Sequence, residues 1–195
     1  MRLWHKDLLP YLPKQQLLGQ WRELNSIYAN KNKHILINYV YGYLKDDLYT
    51  YSLYVIKEMR KRDYKIKTLE NFCKYFNPSN QHVIDANIYT ITSSLLLLDT
   101  CIESFSLPFE VHHDQEYLKI CCWNLYEKYL RGQEGFTDEA VTFIKSIIYS
   151  DVETKITELE DLKIKLETWY QLLSCEGINS KAIVKNEIKK VLEEK

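Results

Sequence analysis

Arg22 and Glu23 stand side by side on the polar face of a helix, in a chain whose written start is Met1-Arg2. Chain amines titrate at roughly 7.7–8.0, so a useful fraction is an unprotonated nucleophile near neutral pH, where an unperturbed lysine is not. A carboxylate near such an amine can manage protons and steady a developing positive charge. Cations around the pair can hold phosphates. On this reading Met1 and Glu23 are the candidate catalytic groups, and Arg2, Arg22, Lys33 and His34 are the candidate phosphate-binding groups. The bland alternative is that Arg-Glu neighbours are common on solvated helices.

The helix that must position them starts at Lys14, after a turn bracketed by Pro10 and Pro13. Leu17, Trp21, Leu24 and Tyr28 recur at helical spacing and form its core face. Gln15, Gln16, Gly19, Gln20, Arg22, Glu23 and Ser26 fall on the other side. Gly19 costs about 1 kcal/mol relative to Ala in a helix. Either tight helix packing or close approach of a ligand would offset that cost.

Asp46 and Asp47 open a second helix through Leu48, Tyr51, Val55, Ile56 and Met59 to Arg60-Lys61-Arg62. Acid first and base last suit the helix dipole, so the basic triplet reads as a helix terminus that could still touch phosphate. Residues 68–94 give no clear pattern, apart from a loop at Asn77-Pro78-Ser79-Asn80. A short apolar helix is expected over 91–105, ended by Pro108. Another runs from Asp114 to a stop at Gly132. Thr137-Asp138-Glu139 caps the next helical region. The apolar stripe Val152, Ile156, Leu159, Leu162, Leu166, Trp169 and Leu173 is close to a heptad. A short helix from Ser180 would pair with it as a hairpin across Gly177, and a homodimer through 152–173 is the competing arrangement.

The bulk properties suit a soluble helical protein: 46% apolar, 27% charged, five Gly and four Pro in 195 residues. The five Cys are odd in number and lack CxxC spacing, which fits free thiols in a reducing cytoplasm. Leu95–Leu98 is too short to span a bilayer, and no membrane partner is expected. The net charge of −1 hides a split. Residues 1–67 hold 13 Lys+Arg against 6 Asp+Glu, and residues 68–195 hold 13 against 21. The basic half suits a polyanion such as nucleic acid. The split could equally hold the two halves together.

Other chemistry is poorly supported. There is no phosphate loop, zinc signature or nucleophile elbow. His112-His113-Asp114 has no matching ligand pair at metal-binding spacing. Cys121-Cys122 reads as core.

The opening MRLWHKDLLP, the LLGQ-x-RE helix, Lys33-His34, and the stretch from Asp47 through Lys61-Arg62-Asp63-Tyr64 resemble the pyrimidine-dimer DNA glycosylases of the phage endonuclease V type and their bacterial branch. The resemblance covers about residues 1–67. It recurs at Val111-His112-His113-Asp114-Gln115-Glu116-Tyr117-Leu118 and Asn124-Leu125, within 111–131. It implies an imine between the terminal amine and the sugar, an essential helix glutamate matching Glu23, and DNA contacts from Arg22 and Arg2. There are departures: Arg2 replaces a small residue, Gln16 stands at a helix histidine, and Asn25 or Ser26 at a helix arginine.

The expected protein is all-α. Its helical domain of endonuclease V type covers 1–131, and a helical-hairpin extension covers 137–195. Its expected function is DNA-repair glycosylase on pyrimidine-dimer-like damage, with abasic-site lyase activity, acting on double-stranded DNA without a metal or organic cofactor. The alternatives are a non-catalytic DNA-binding module and a helical protein-interaction module.

Overall fold

The computed structural model describes residues 2–30, 35–76 and 90–153. The chain is all-helical, with no strand among these residues. It divides into two compact units, residues 1–118 and 119–195.

The first unit is built around two helices of 17 residues each. α1 spans Lys14–Asn30 and α2 spans Lys45–Lys61. The Pro10–Pro13 stretch is more ordered than a turn: a 3-10 helix, η1, covers Lys6–Tyr11 with Pro10 inside it. The carbonyl of Pro13 then accepts from Gln16 and Leu17 and starts α1. Leu17, Trp21, Leu24 and Tyr28 are all buried, as their spacing requires.

α2 is the hub. It packs against α1, against η1, and against α4, Leu95–Glu103. Its Leu48, Tyr51, Leu53, Val55, Ile56 and Met59 are buried. Asp46 and Asp47 lie in its first turn, but Leu44 is the capping residue and makes no side-chain bond. Asp47 instead accepts from the Phe109 N–H at 2.9 Å. Within the stretch that shows no sequence pattern lies α3, Leu69–Phe76, which packs on α1. A short 3-10 turn, η2, covers Asn38–Gly42.

The apolar helix expected over 91–105 is broken at Ser94: residues 90–93 form a helical turn of their own, and α4 begins after Ser94, whose hydroxyl accepts from the Leu97 N–H. It stops at Glu103, before Pro108, because Ser104 and Phe105 turn back onto Cys101 and Ile102. α5 spans Gln115–Leu130, and Asp114 caps it by accepting from the Tyr117 N–H at 2.8 Å. The stop at Gly132 is a left-handed one, φ 80°. Gln133 N–H reaches back to the Lys128 carbonyl at 3.0 Å, the bond that closes such an end.

In the second unit Cys121, Cys122 and Leu125 are buried, which agrees with a core role for the cysteine pair. α6, Asp138–Glu153, starts at Thr137, whose hydroxyl accepts from Ala140 N–H at 3.1 Å. The stripe at 152–173 and its hairpin partner lie outside the described residues. No helix among the described residues is long and apolar enough to cross a membrane.

Candidate functional site

Leu3, Trp4 and His5 are buried but belong to no helix. Buried backbone groups must find partners, and here no neighbouring strand supplies them. Side chains do so instead. The Trp4 N–H donates to Gln20 Oε1 at 2.8 Å. Tyr51 donates its hydroxyl to the Trp4 carbonyl at 2.6 Å, and Tyr117 donates to the Leu3 carbonyl at 2.6 Å. His5 Nε2 lies 2.8 Å from the His113 carbonyl. The stretch is a strap held at four points, by α1, α2, the start of α5 and the loop before it.

The partners of His5 fix its proton. A carbonyl can only accept, so Nε2 carries the hydrogen. Nδ1 accepts from the Asp7 N–H at 3.2 Å, so the ring is neutral. Burial lowers its pKa, which agrees. His113 is buried as well, and burial with the nearby His5 and His112 pulls its pKa down to about 3. Its Nε2 meets the Tyr39 hydroxyl at 2.7 Å, and its ring stacks on Tyr117. His113 thus anchors the strap, while His112 stacks on Tyr39 beside it. Among the described residues no group of three His, Cys, Asp or Glu is placed to hold a metal ion.

Gln20 departs from the sequence expectation. Helical spacing puts it on the polar side of α1, yet it is 1% exposed. A lone glutamine at a helix position reads as solvated unless its distant partner is known, and the Trp4 N–H is sixteen residues away.

Glu23 follows Gln20 by three residues, so it lies one turn further along the edge that holds the strap. It is half-buried, and its Oε2 is shielded from solvent, as is Nη1 of Arg2. Arg2 also places its guanidinium 5.8 Å from the centre of the Trp4 ring. Arg22 is exposed. Adjacent helix residues diverge by roughly 100°, so Arg22 and Glu23 do not form one facing pair. Arg22 leans back over Gly19, where an added Cβ would lie 3.7 Å from its Nη2 and meet nothing else within 4 Å. Tight helix packing therefore does not explain this glycine. Met1, Lys33 and His34 lie outside the described residues.

Beside Arg22, on the edge away from Glu23, opens a cleft of about 660 Å³. Its far wall is the segment after α2, residues 63–68, of which the sequence singles out only Asp63 and Tyr64. The Trp21 indole N–H holds that wall by donating to the Lys67 carbonyl at 2.8 Å.

The basic triplet at the end of α2 is largely structural. Arg62 pairs with Glu58 at 2.7 Å and donates to the carbonyls of Leu9, Pro10 and Leu12, closing the end of η1. Arg60 donates to the Thr92 carbonyl at 3.0 Å.

Residues 1–71 match the family model described as pyrimidine dimer DNA glycosylase. The matched span contains the strap, α1 with Arg22 and Glu23, α2, and the wall of the cleft. No curated protein and no solved structure matches the chain.

Proposed function

We propose that the protein is a DNA glycosylase for pyrimidine-dimer-type damage, with the amine of Met1 as nucleophile and Glu23 as the essential carboxylate. One observation carries the reading: a four-point strap fixes residues 3–5 beside the edge of α1 that bears Glu23, within the span that matches the glycosylase family. Such rigidity has a use if the residues just ahead of the strap must reach a reacting atom. Holding a reactant in place can supply much of a barrier.

In the proposed step the amine nitrogen forms a bond to C1′ of the deoxyribose as the bond to the base breaks. The base leaves with that electron pair and takes up a proton. Loss of an amine proton and opening of the ring at O4′ give a protonated imine. Glu23 stabilises the positive charge on the sugar and assists proton transfer. On abasic DNA the same amine condenses with the C1′ aldehyde and releases water. Removal of a 2′ proton then expels the 3′ phosphate, which is the lyase reaction. Arg22 and Arg2, with Lys33 and His34, hold the phosphates of double-stranded DNA.

Borohydride reduces an imine to a stable amine, so it tests the reading directly. The wild-type protein should be trapped on an abasic duplex, with the adduct on Met1. Glu23→Gln should still bind the duplex but not turn it over. Salt-dependent binding without any trapping would make the protein a non-catalytic DNA-binding module. Loss of both would make it a helical interaction protein.

A further inference from the structure

Among the described cations of the basic half some have fixed partners and others have no ion pair; of the latter, Lys45 sits over the Tyr75 ring and Lys61 ends α2, both outside the cleft. Lys6 pairs with Asp7, Lys57 with Asp99 and Arg62 with Glu58, while Arg60 serves a carbonyl. Lys14, Arg22, Lys65 and Lys67 have no ion pair among the described residues, and all four line the cleft beside α1. Asp63 is the single acid in the lining. Four cations facing a single carboxylate around one cleft repel one another, a cost that a bound anion reduces.

The wall is shaped for the purpose. Along 63–67 exposure alternates, with Asp63, Lys65 and Lys67 exposed and Tyr64 and Ile66 half-buried. Period-two alternation puts Lys65 and Lys67 on one side. Both ends of the segment are left-handed: Asp63 has φ 54° and Thr68 φ 60°. For a β-branched residue such as Thr68 this costs on the order of 1–3 kcal/mol and persists only where its surroundings enforce it. Here Thr68 Oγ1 bonds Asn25 Oδ1 at 2.9 Å, and Trp21 bonds the Lys67 carbonyl. On the floor lies buried Met59, and Lys14 sits 5.3 Å from the centre of the Tyr64 ring.

Spacing selects the anion. Lys14 and Arg22 are eight residues apart on α1, about 12 Å along its axis. One DNA strand presents a phosphate about every 3.4 Å of duplex axis, so this length faces three to four phosphates. We infer that the cleft is a phosphodiester site for the strand flanking the target nucleotide, in which Lys14, Lys65 and Lys67 continue the contact begun by Arg22. This rests on the proposed action on DNA and adds the path of the strand, on the side of α1 away from Glu23.

The experiment measures binding of the full chain to an undamaged 30-base-pair duplex across a KCl series. In K14Q/K65Q/K67Q the slope of log affinity against log salt should fall by about 2.7, or 0.9 per lost contact. Between 50 and 200 mM KCl the wild type should then lose roughly 40-fold more affinity than the variant. The three single Lys→Gln variants, each at an exposed side chain, should each lower the slope by about 0.9, which keeps the test valid if the triple variant folds poorly. A wild-type slope in all of these variants overturns the cleft assignment and leaves the glycosylase reading intact. No salt-dependent binding by the wild type overturns both.

Discussion

Trp4 and Gln20 are joined by a hydrogen bond of 2.8 Å between a backbone N–H and a buried side-chain amide. The bond sets the start of the chain against α1, one turn from Glu23. Its energetic weight is that of any buried donor: left unsatisfied, the Trp4 N–H would cost roughly 1–3 kcal/mol. Its functional weight lies in holding residues 3–5 still, directly behind the proposed nucleophile.

Tyr117→Phe removes one oxygen, the donor to the Leu3 carbonyl, and keeps the ring against His113. It should destabilise the fold by roughly 1–3 kcal/mol. If the strap aims the amine, borohydride trapping on abasic DNA should also slow, by about ten- to a hundred-fold, with duplex affinity unchanged. Loss of melting temperature with a wild-type trapping rate would make the strap structural only.

The strap should also make the fold acid-sensitive. Unfolded, His113 takes up a proton as pH falls through about 6.5. Folded, it resists protonation down to about 3. Between those values the unfolded state binds more protons, so stability falls with pH, by about 1.4 kcal/mol per unit. The lowered pKa of His5 acts in the same direction. Melting should therefore drop by roughly 4–8 °C between pH 7 and pH 5 from His113 alone, and His5 adds to the drop. His113→Phe should have a shallower acid slope, and an unchanged slope would assign the sensitivity elsewhere.

Much of this is legible where the signal is local. The face Leu17, Trp21, Leu24, Tyr28 marks α1, and Asp114 with Gly132 bounds α5 to within two residues. Glu23, Arg22 and Arg2 come from one motif. α3 escapes a sequence reading because eight residues with two buried side chains give too short a period. Gln20 reads as solvated because its partner is a distant backbone group, and Arg62 stays open because three of its four partners are distant backbone carbonyls, which carry no residue identity. The cleft is invisible because it depends on two non-glycine residues in left-handed conformations, which sequence does not announce.

The boundary proposed between 131 and 137 can be tested by deletion of 137–195. Gly132 and Gly135 both have positive φ and interrupt the chain between α5 and α6. Every described residue of the strap and the cleft lies at or before Tyr117. The truncated protein should unfold cooperatively and keep salt-dependent duplex binding. Insolubility or non-cooperative melting would mean that the extension belongs to one core with the rest.

Arg22 and Arg62 make a final contrast, because the sequence offers Arg22 as a phosphate candidate and reads Arg62 as a helix terminus that could still touch phosphate. Arg62 bonds one carboxylate and three carbonyls, and its partner Glu58 is buried. Arg62→Ala leaves those groups without a partner and should cost roughly 3–5 kcal/mol of stability. DNA affinity per folded molecule should not change. Arg22 is exposed and makes no ion pair among the described residues. Arg22→Ala should stay within about 0.5 kcal/mol of wild-type stability. It should weaken duplex binding across sequences and lower the salt slope by about 0.9. Thermal melts and salt titrations on the two variants should therefore separate cleanly. If Arg62→Ala flattened the slope while Arg22→Ala left it alone, the nucleic-acid face would lie at the end of η1 and not along α1.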